Sequence, residues 1–418
     1  MAQPIRITDL AAPILTPMQA GAVAHGNSAP ASMTVDQVLD AARAATGLSD
    51  FGADDFRARL GLWLQSIAED KGLTGFGRGA LFADCVRLAS NRLKVEDLLK
   101  RHPEILDIKI DRPIIIAGLP RSGTTHLVNI ISADSRLRHM PLWESQEPVP
   151  SAADIAAVKR GETDPRFVRA RDGWGQFEAI LPHMPAMHEM APDHTHEEIE
   201  LQSIDFGSYT LEWLSRPHRW REHYYATDQT PRYAYSKKVL QILTWYKGPN
   251  RWILKSPQHM EQLGPLKSVF PDATLVITHR DPLAVIQSAV TMLAYGDRIR
   301  RNPTDPHATA RYWIDRVEHL LRACVRDRGI WGEHQSMDVL FHKYMSDEDS
   351  VLREVYRLAD LEMTPAAEAE LKAYLAANPR GKHGRVQYDL AGDFGVDIKQ
   401  LRERFQFYFD EFPVEHEL

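Results

Sequence analysis

Two hydrophobic rhythms alternate along this chain. Residues 113–117, PIIIA, form a short continuous apolar run rich in isoleucine, as expected of a strand covered on both faces. Residues 251–255 and 275–279 read the same way, and 336–341 supplies a fourth strand. Each of the first three ends in a turn and leads into helical spacing. Strands that alternate with helices predict parallel pairing and right-handed crossovers. The expected fold class is therefore α/β, a parallel sheet flanked by helices, with ligands at the carboxyl ends of the strands. Arg121, Lys255 and Arg280 each fall at or just beyond such an end.

Ahead of the first strand the spacing is helical throughout. Val35, Val38, Leu39 and Ala42 mark one helix, with Thr34 and Asp36 as capping candidates. A second covers 54–70, with Phe56, Leu60, Leu62, Trp63 and Ile67; a third covers 77–91, and a shorter one begins near Val95. This divides the chain into an Ala/Pro-rich arm (1–33), mobile or packed on a neighbour, a helical N-terminal lobe (34–109) and an α/β domain (110–418). The lobe reads as a packing and dimer-forming unit, with a homodimer as the candidate assembly. Further on, prolines predict an extended, irregular stretch over 138–150. Three helical patterns between 164 and 223 are broken by LPHMPAMHEMAPDHTHEE (181–198), which carries His183, His188, His194 and His196 among three methionines. That segment is either a wall of the acceptor pocket or a surface loop. It contains no complete zinc pattern. Helices are expected at 308–328, 346–359, 365–377 and 397–411.

Composition narrows the field. The chain has 418 residues, 44% hydrophobic and 26% charged, with a net charge of −7. Nothing in that balance points to nucleic acid, so any basic site is local. Cys85 and Cys324, the only cysteines, make neither a disulfide framework nor a zinc site and fit a reducing compartment. No run reaches the roughly 18 apolar residues of a membrane span, and no basic-then-apolar leader opens the chain. A cytoplasmic protein is expected.

The chemistry concentrates after the first strand. Gly118 to Thr125 reads G-x-x-x-x-G-T-T, a phosphate-binding loop opening a helix, where unpaired N–H groups and the positive end of the macrodipole favour an anion. Thr124 stands where an ATPase loop has its lysine, and the loop's one cation is Arg121. The pattern suits a phosphate but not a metal-bridged triphosphate.

PRSGTT after a strand resembles the 5′-phosphosulfate loop of sulfotransferases that use 3′-phosphoadenosine-5′-phosphosulfate (PAPS). Two later segments agree: ILKSPQH (253–259) is similar to the Lys-x-Pro segment of the tyrosylprotein and bacterial types, and LVITHRDPLAVIQS (275–288) to the strand, turn and helix that hold the 3′-phosphate. The resemblance implies a P-loop-like sheet and PAPS as co-substrate, with no metal required. By the same resemblance Arg121, Ser122, Gly123, Thr124 and Thr125 bind the 5′-phosphosulfate, while Arg280 and Ser288 bind the 3′-phosphate. Lys255 supplies charge to the sulfonate or its bridging oxygen. The basic segment 379–389, with Arg380 and Lys382, resembles the part that closes over the 3′-phosphate. A glutamate after the loop is the base in the tyrosylprotein type, which implies Glu144, with Glu147 or a histidine of the 183–196 segment as rivals.

The function expected is sulfonate transfer from PAPS to a hydroxyl or amine of a small, apolar acceptor. A P-loop kinase or NTPase and a non-catalytic nucleotide-binding module are the alternatives; the missing lysine disfavours the first, and scattered cations would support the second.

Overall fold

The computed structural model describes residues 4–27, 33–248, 250–379, 381–382 and 384–418. Among these, seven strands form two sheets: β1 (Ile5–Arg6), β2 (Ile114–Gly118), β3 (Leu137–Arg138), β4 (Arg251–Lys255), β5 (Thr274–His279), β6 (Ser336–Leu340) and β7 (Val386–Gln387). Five make a wholly parallel sheet in the order β3-β4-β2-β5-β6. All five residues of β2 are buried, and its side chains alternate between two apolar layers. Ile115 and Ala117 join the larger core with Leu254, Leu275 and Ile277; Ile114 and Ile116 join the smaller one with Val128, Ile253 and Val276. A β-branched run with an apolar layer on each face is what the isoleucines predict.

Register decides where the site lies. Ile116 stands opposite Lys255 on one side and Gly118 opposite Thr278 on the other. The ends of β2, β4 and β5 therefore share one edge of the sheet.

The N-terminal helices pack against that scaffold. Thr34 closes a capping box with Gln37 over the helix Val35–Thr46, which ends at Gly47 in the left-handed region (φ 71°). The patterns at 77–91 and near Val95 are one helix, Gly75–Arg101, because no breaker separates them and Leu88, Ala89, Leu93 and Val95 stay buried through the join. In the arm, residues 4–27 are packed: β1 pairs in parallel with β7, Arg6 meets Asp393 at 2.6 Å, and Thr16 caps the helix Pro17–Gly26. The prolines around 138–150 frame structure as well: β3 adds an edge strand, and Leu142–Gln146 is a turn of helix begun at Pro141.

Charge is buried in pairs and clusters. Fully buried Arg316 holds Glu212 and Glu261 at 2.6 Å each, and Arg92 holds Asp205 at 2.6 Å. No described helix is long and apolar enough to cross a membrane.

Candidate active site

The loop after β2 depends on three residues with positive φ. Gly118 (φ 153°) passes so close to β5 that a Cβ there would lie 2.1 Å from Thr278 Oγ1. Arg121 (φ 70°) and Gly123 (φ 90°) then turn the backbone into the helix Thr124–Ile131. Ser122 Oγ donates to the Leu119 carbonyl at 2.6 Å and lies 2.7 Å from Thr278 Oγ1, tying the loop to β5. No side chain caps the helix start, so its first N–H groups keep their capacity for an anion.

Three cations converge on this loop. Lys255, 1% exposed at the end of β4, donates from Nζ to Thr125 Oγ1 at 3.3 Å and to the carboxylate of Glu197. Its backbone N–H donates to Glu198 at 2.8 Å, which fixes the strand end. Arg280, beyond β5, donates from Nη1 to the Arg121 carbonyl at 2.6 Å and lies over the Phe341 ring at 4.1 Å. Arg121 donates from Nε to Ser288 Oγ at 3.0 Å, and Ser288 in turn donates to Tyr388 Oη at 3.1 Å. Arg280 and Ser288 thus meet the two ends of the same loop residue.

Beside the loop opens a cavity of about 490 Å³, a size ordinary for a small-molecule site. Arg121, Thr124 and Thr125 line it where it meets the loop, and Trp63, Leu81, Leu88, Trp213 and Met292 make much of its apolar wall. Glu197, His188 and His196 also face it. Burial alone would raise the Glu197 carboxyl, but the Lys255 ammonium and then His196 outweigh burial and hold it below its ordinary value. Burial, only partly opposed by Glu197, pushes His188 down to about 4. An ionised carboxylate and a neutral imidazole therefore face the cavity at neutral pH, the carboxylate bound to buried Lys255.

A model of the sulfotransferase family matches residues 113–365. The chain belongs to that family. Sulfotransferase STF9 from Mycobacterium avium is similar over 92% of this chain and 98% of its own, at 28% identity and a TM-score of 0.81. Sulfotransferase STF1 from Mycobacterium tuberculosis H37Rv is similar over 89% and 98%, at 25% identity and a TM-score of 0.78. Comparison with curated proteins gave no match. The sulfotransferase takes PAPS as its sulfonate donor and a small molecule as acceptor. The kinase alternative and the non-catalytic alternative are not favoured.

The loop-side residues named from the sequence lie together at the ends of β2, β4 and β5, whereas the carboxylate named as the base lies off the cavity wall. Glu144 is 4% exposed, pairs with Arg138 at 2.8 Å and Lys247 at 3.7 Å, and does not line the cavity. The partner that turns it away is Arg138, on β3. Glu147 is bound by Arg169 at 2.7 Å. His183 and His194 also lie off the cavity wall, His183 with its ring against Tyr295 and His194 between His188 and His196. Lys382 contacts Glu189 at 3.3 Å, which brings its loop onto the 181–198 segment; Arg380 lies outside the described residues. Glu197, Thr278 and Tyr388 went unnoticed. A signal existed for Glu197: two adjacent glutamates close the histidine-rich segment.

Proposed function

We propose that this sulfotransferase moves the sulfonate to the hydroxyl of an apolar small molecule without a metal ion, with Glu197 as the general base. The observation that carries the reading is the buried Lys255–Glu197 pair, which touches Thr125 of the loop and faces the apolar cavity.

Each residue has one task. The loop N–H groups and the Arg121 guanidinium, a two-pronged donor, hold the 5′-phosphosulfate. Arg280 and Ser288 bind the 3′-phosphate. Glu197 takes the acceptor's proton as the acceptor oxygen bonds to sulfur. Lys255 stabilises charge on the bridging oxygen as its bond to sulfur breaks, a preorganised electrostatic role in a dry site. Fixed cations do here what Mg²⁺ does in a triphosphate site, which is why no metal is required. The apolar wall excludes water from the reacting sulfur and selects an apolar acceptor.

The test is transfer from PAPS to a panel of apolar alcohols and phenols in the presence of EDTA. Turnover undiminished by EDTA, with aliphatic or aromatic alcohols preferred over sugars, is the expected result. Dependence on added Mg²⁺, or preference for polar sugars, would overturn it.

A further inference from the structure

Among the described residues, two cations on the cavity wall have no carboxylate within ion-pair distance: Arg121, which rests on Ser288 at the phosphate loop, and Arg300, away from it. Arg87 is shared by Asp84 and Glu200 at 3.3 Å each, Arg169 is bound by Glu147 and Asp154, and Lys255 is bound by Glu197. Arg300 also lines the cavity, half-buried at the end of the helix Pro282–Arg300. Among the described residues no carboxylate lies within ion-pair distance of it. Asp297, the nearest by sequence, is engaged by Arg301 at 3.3 Å and Arg216 at 3.7 Å. The hydrogen bonds Arg300 makes are long: Nε to the Gly296 carbonyl at 3.3 Å and Nη1 to the Trp213 carbonyl at 3.4 Å. Both exceed the usual range for N–H···O bonds, and Nη2 has no hydrogen-bond partner among the described residues. Burial shifts the guanidinium below its ordinary value, against a weaker opposing pull from Asp297.

A glycine seats this side chain. Gly296 sits inside the helix, where glycine is unfavourable. A Cβ at that position would fall 1.9 Å from Arg300 Nη2, so the guanidinium lies where any other residue's side chain would begin. Ser288, on which Arg121 rests, is twelve residues earlier on the same helix, which puts Arg300 about 18 Å farther along the axis at 1.5 Å per residue. The cavity therefore has a cationic loop at one end, apolar walls, and an unpaired cation far from the reacting centre.

We infer that Arg300 receives a carboxylate of the acceptor, so that the molecule this cavity takes is an elongated apolar hydroxy acid, its hydroxyl at the phosphosulfate loop and its carboxylate at Arg300. The inference rests on the sulfonate-transfer reading and deepens it. The carboxylate replaces the missing counter-ion and accepts the hydrogen bonds that Nη1 and Nη2 leave unmade; a neutral end group would leave the half-buried guanidinium unpaired. Asp84 and Glu200 do not oppose such a ligand, because both are held by Arg87.

The test is calorimetry on the full chain saturated with 3′-phosphoadenosine-5′-phosphate (PAP), using ω-hydroxylauric acid and its neutral methyl ester as probes. The acid is expected to bind at least about tenfold more tightly than the ester. Arg300→Gln should abolish that preference while leaving PAP affinity and ester binding unchanged, and Arg300→Lys should keep part of it. Gly296→Ala, which pushes the guanidinium aside without removing it, should behave like Arg300→Gln and covers the case in which that variant misfolds. Equal binding of acid and ester, an equal loss for both in Arg300→Gln, or binding of neither probe by a chain that binds PAP would overturn the inference. A wild-type chain that fails to bind PAP would overturn the nucleotide reading, and this inference with it.

Discussion

Glu417 grips Arg280 with both carboxylate oxygens, Nε to Oε1 at 2.7 Å and Nη2 to Oε2 at 2.6 Å. Its backbone N–H also donates to Asp281 at 2.7 Å, so the segment is held at two adjacent points. In the proposed site Arg280 binds the 3′-phosphate, and the Glu417 carboxylate occupies one side of the guanidinium that an incoming anion would use. Glu417→Gln should therefore tighten PAP binding by about two- to fivefold, the value of a partly exposed ion pair, with no gain for a nucleotide lacking the 3′-phosphate. Calorimetry with the two nucleotides checks this; equal gains, or weaker PAP binding, would show that Glu417 positions Arg280 and does not compete for it.

Lys255→Ala tests the division between binding and chemistry. A cation that acts on the bridging oxygen gains strength as the S–O bond breaks, so its loss should lower kcat by about 10²- to 10³-fold. PAP, which lacks the sulfonate, should bind nearly as well as before. A parallel loss of PAP affinity would make Lys255 a nucleotide ligand only.

The pH profile should lack an acid break near the ordinary histidine value of 6.5, because His188 stays neutral down to about 4. Glu197 acts as a base only when ionised, and its carboxyl is held below its ordinary value of 4.5. Activity present above that lowered value should persist as pH falls and be lost only below 4.5. Measured kcat against pH decides; a break near 6.5 would point to a histidine with an unperturbed environment.

Much of the fold and the loop side of the site was legible because one principle governs both. Strand ends in a parallel sheet collect whatever follows them, so Gly118, Lys255 and Arg280 could be brought together from residues far apart in sequence. The cavity was not legible. Trp63, Leu81, Trp213 and Met292 keep the same helical spacing whether they face a core or a ligand, and only the packing of four separate segments distinguishes the two. The position of Glu144 off the cavity wall was not legible for a related reason: its partner Arg138 comes from an edge strand of two residues, too short to announce itself by periodicity.

Arg316 offers a test of the scaffold that supports the site. It holds Glu212 and Glu261 in a fully buried cluster, and Arg316→Met would leave both carboxylates without their cation. The expected cost is about 3–5 kcal/mol, read as a lower urea midpoint in equilibrium unfolding. A midpoint within error of wild type would show that the two carboxylates protonate at little cost.

In the proposed mechanism Glu197, paired with Lys255 at the loop end of the cavity, takes the acceptor's proton. Single-turnover sulfonate transfer from PAPS, compared for Glu197→Gln and Glu144→Gln after both are shown to fold and to bind PAP, measures it directly. Glu197→Gln should lose about 10²- to 10⁴-fold, the usual contribution of a general base, and Glu144→Gln should keep a rate close to wild type. Near-normal transfer by Glu197→Gln, or a comparable loss in Glu144→Gln, would contradict it.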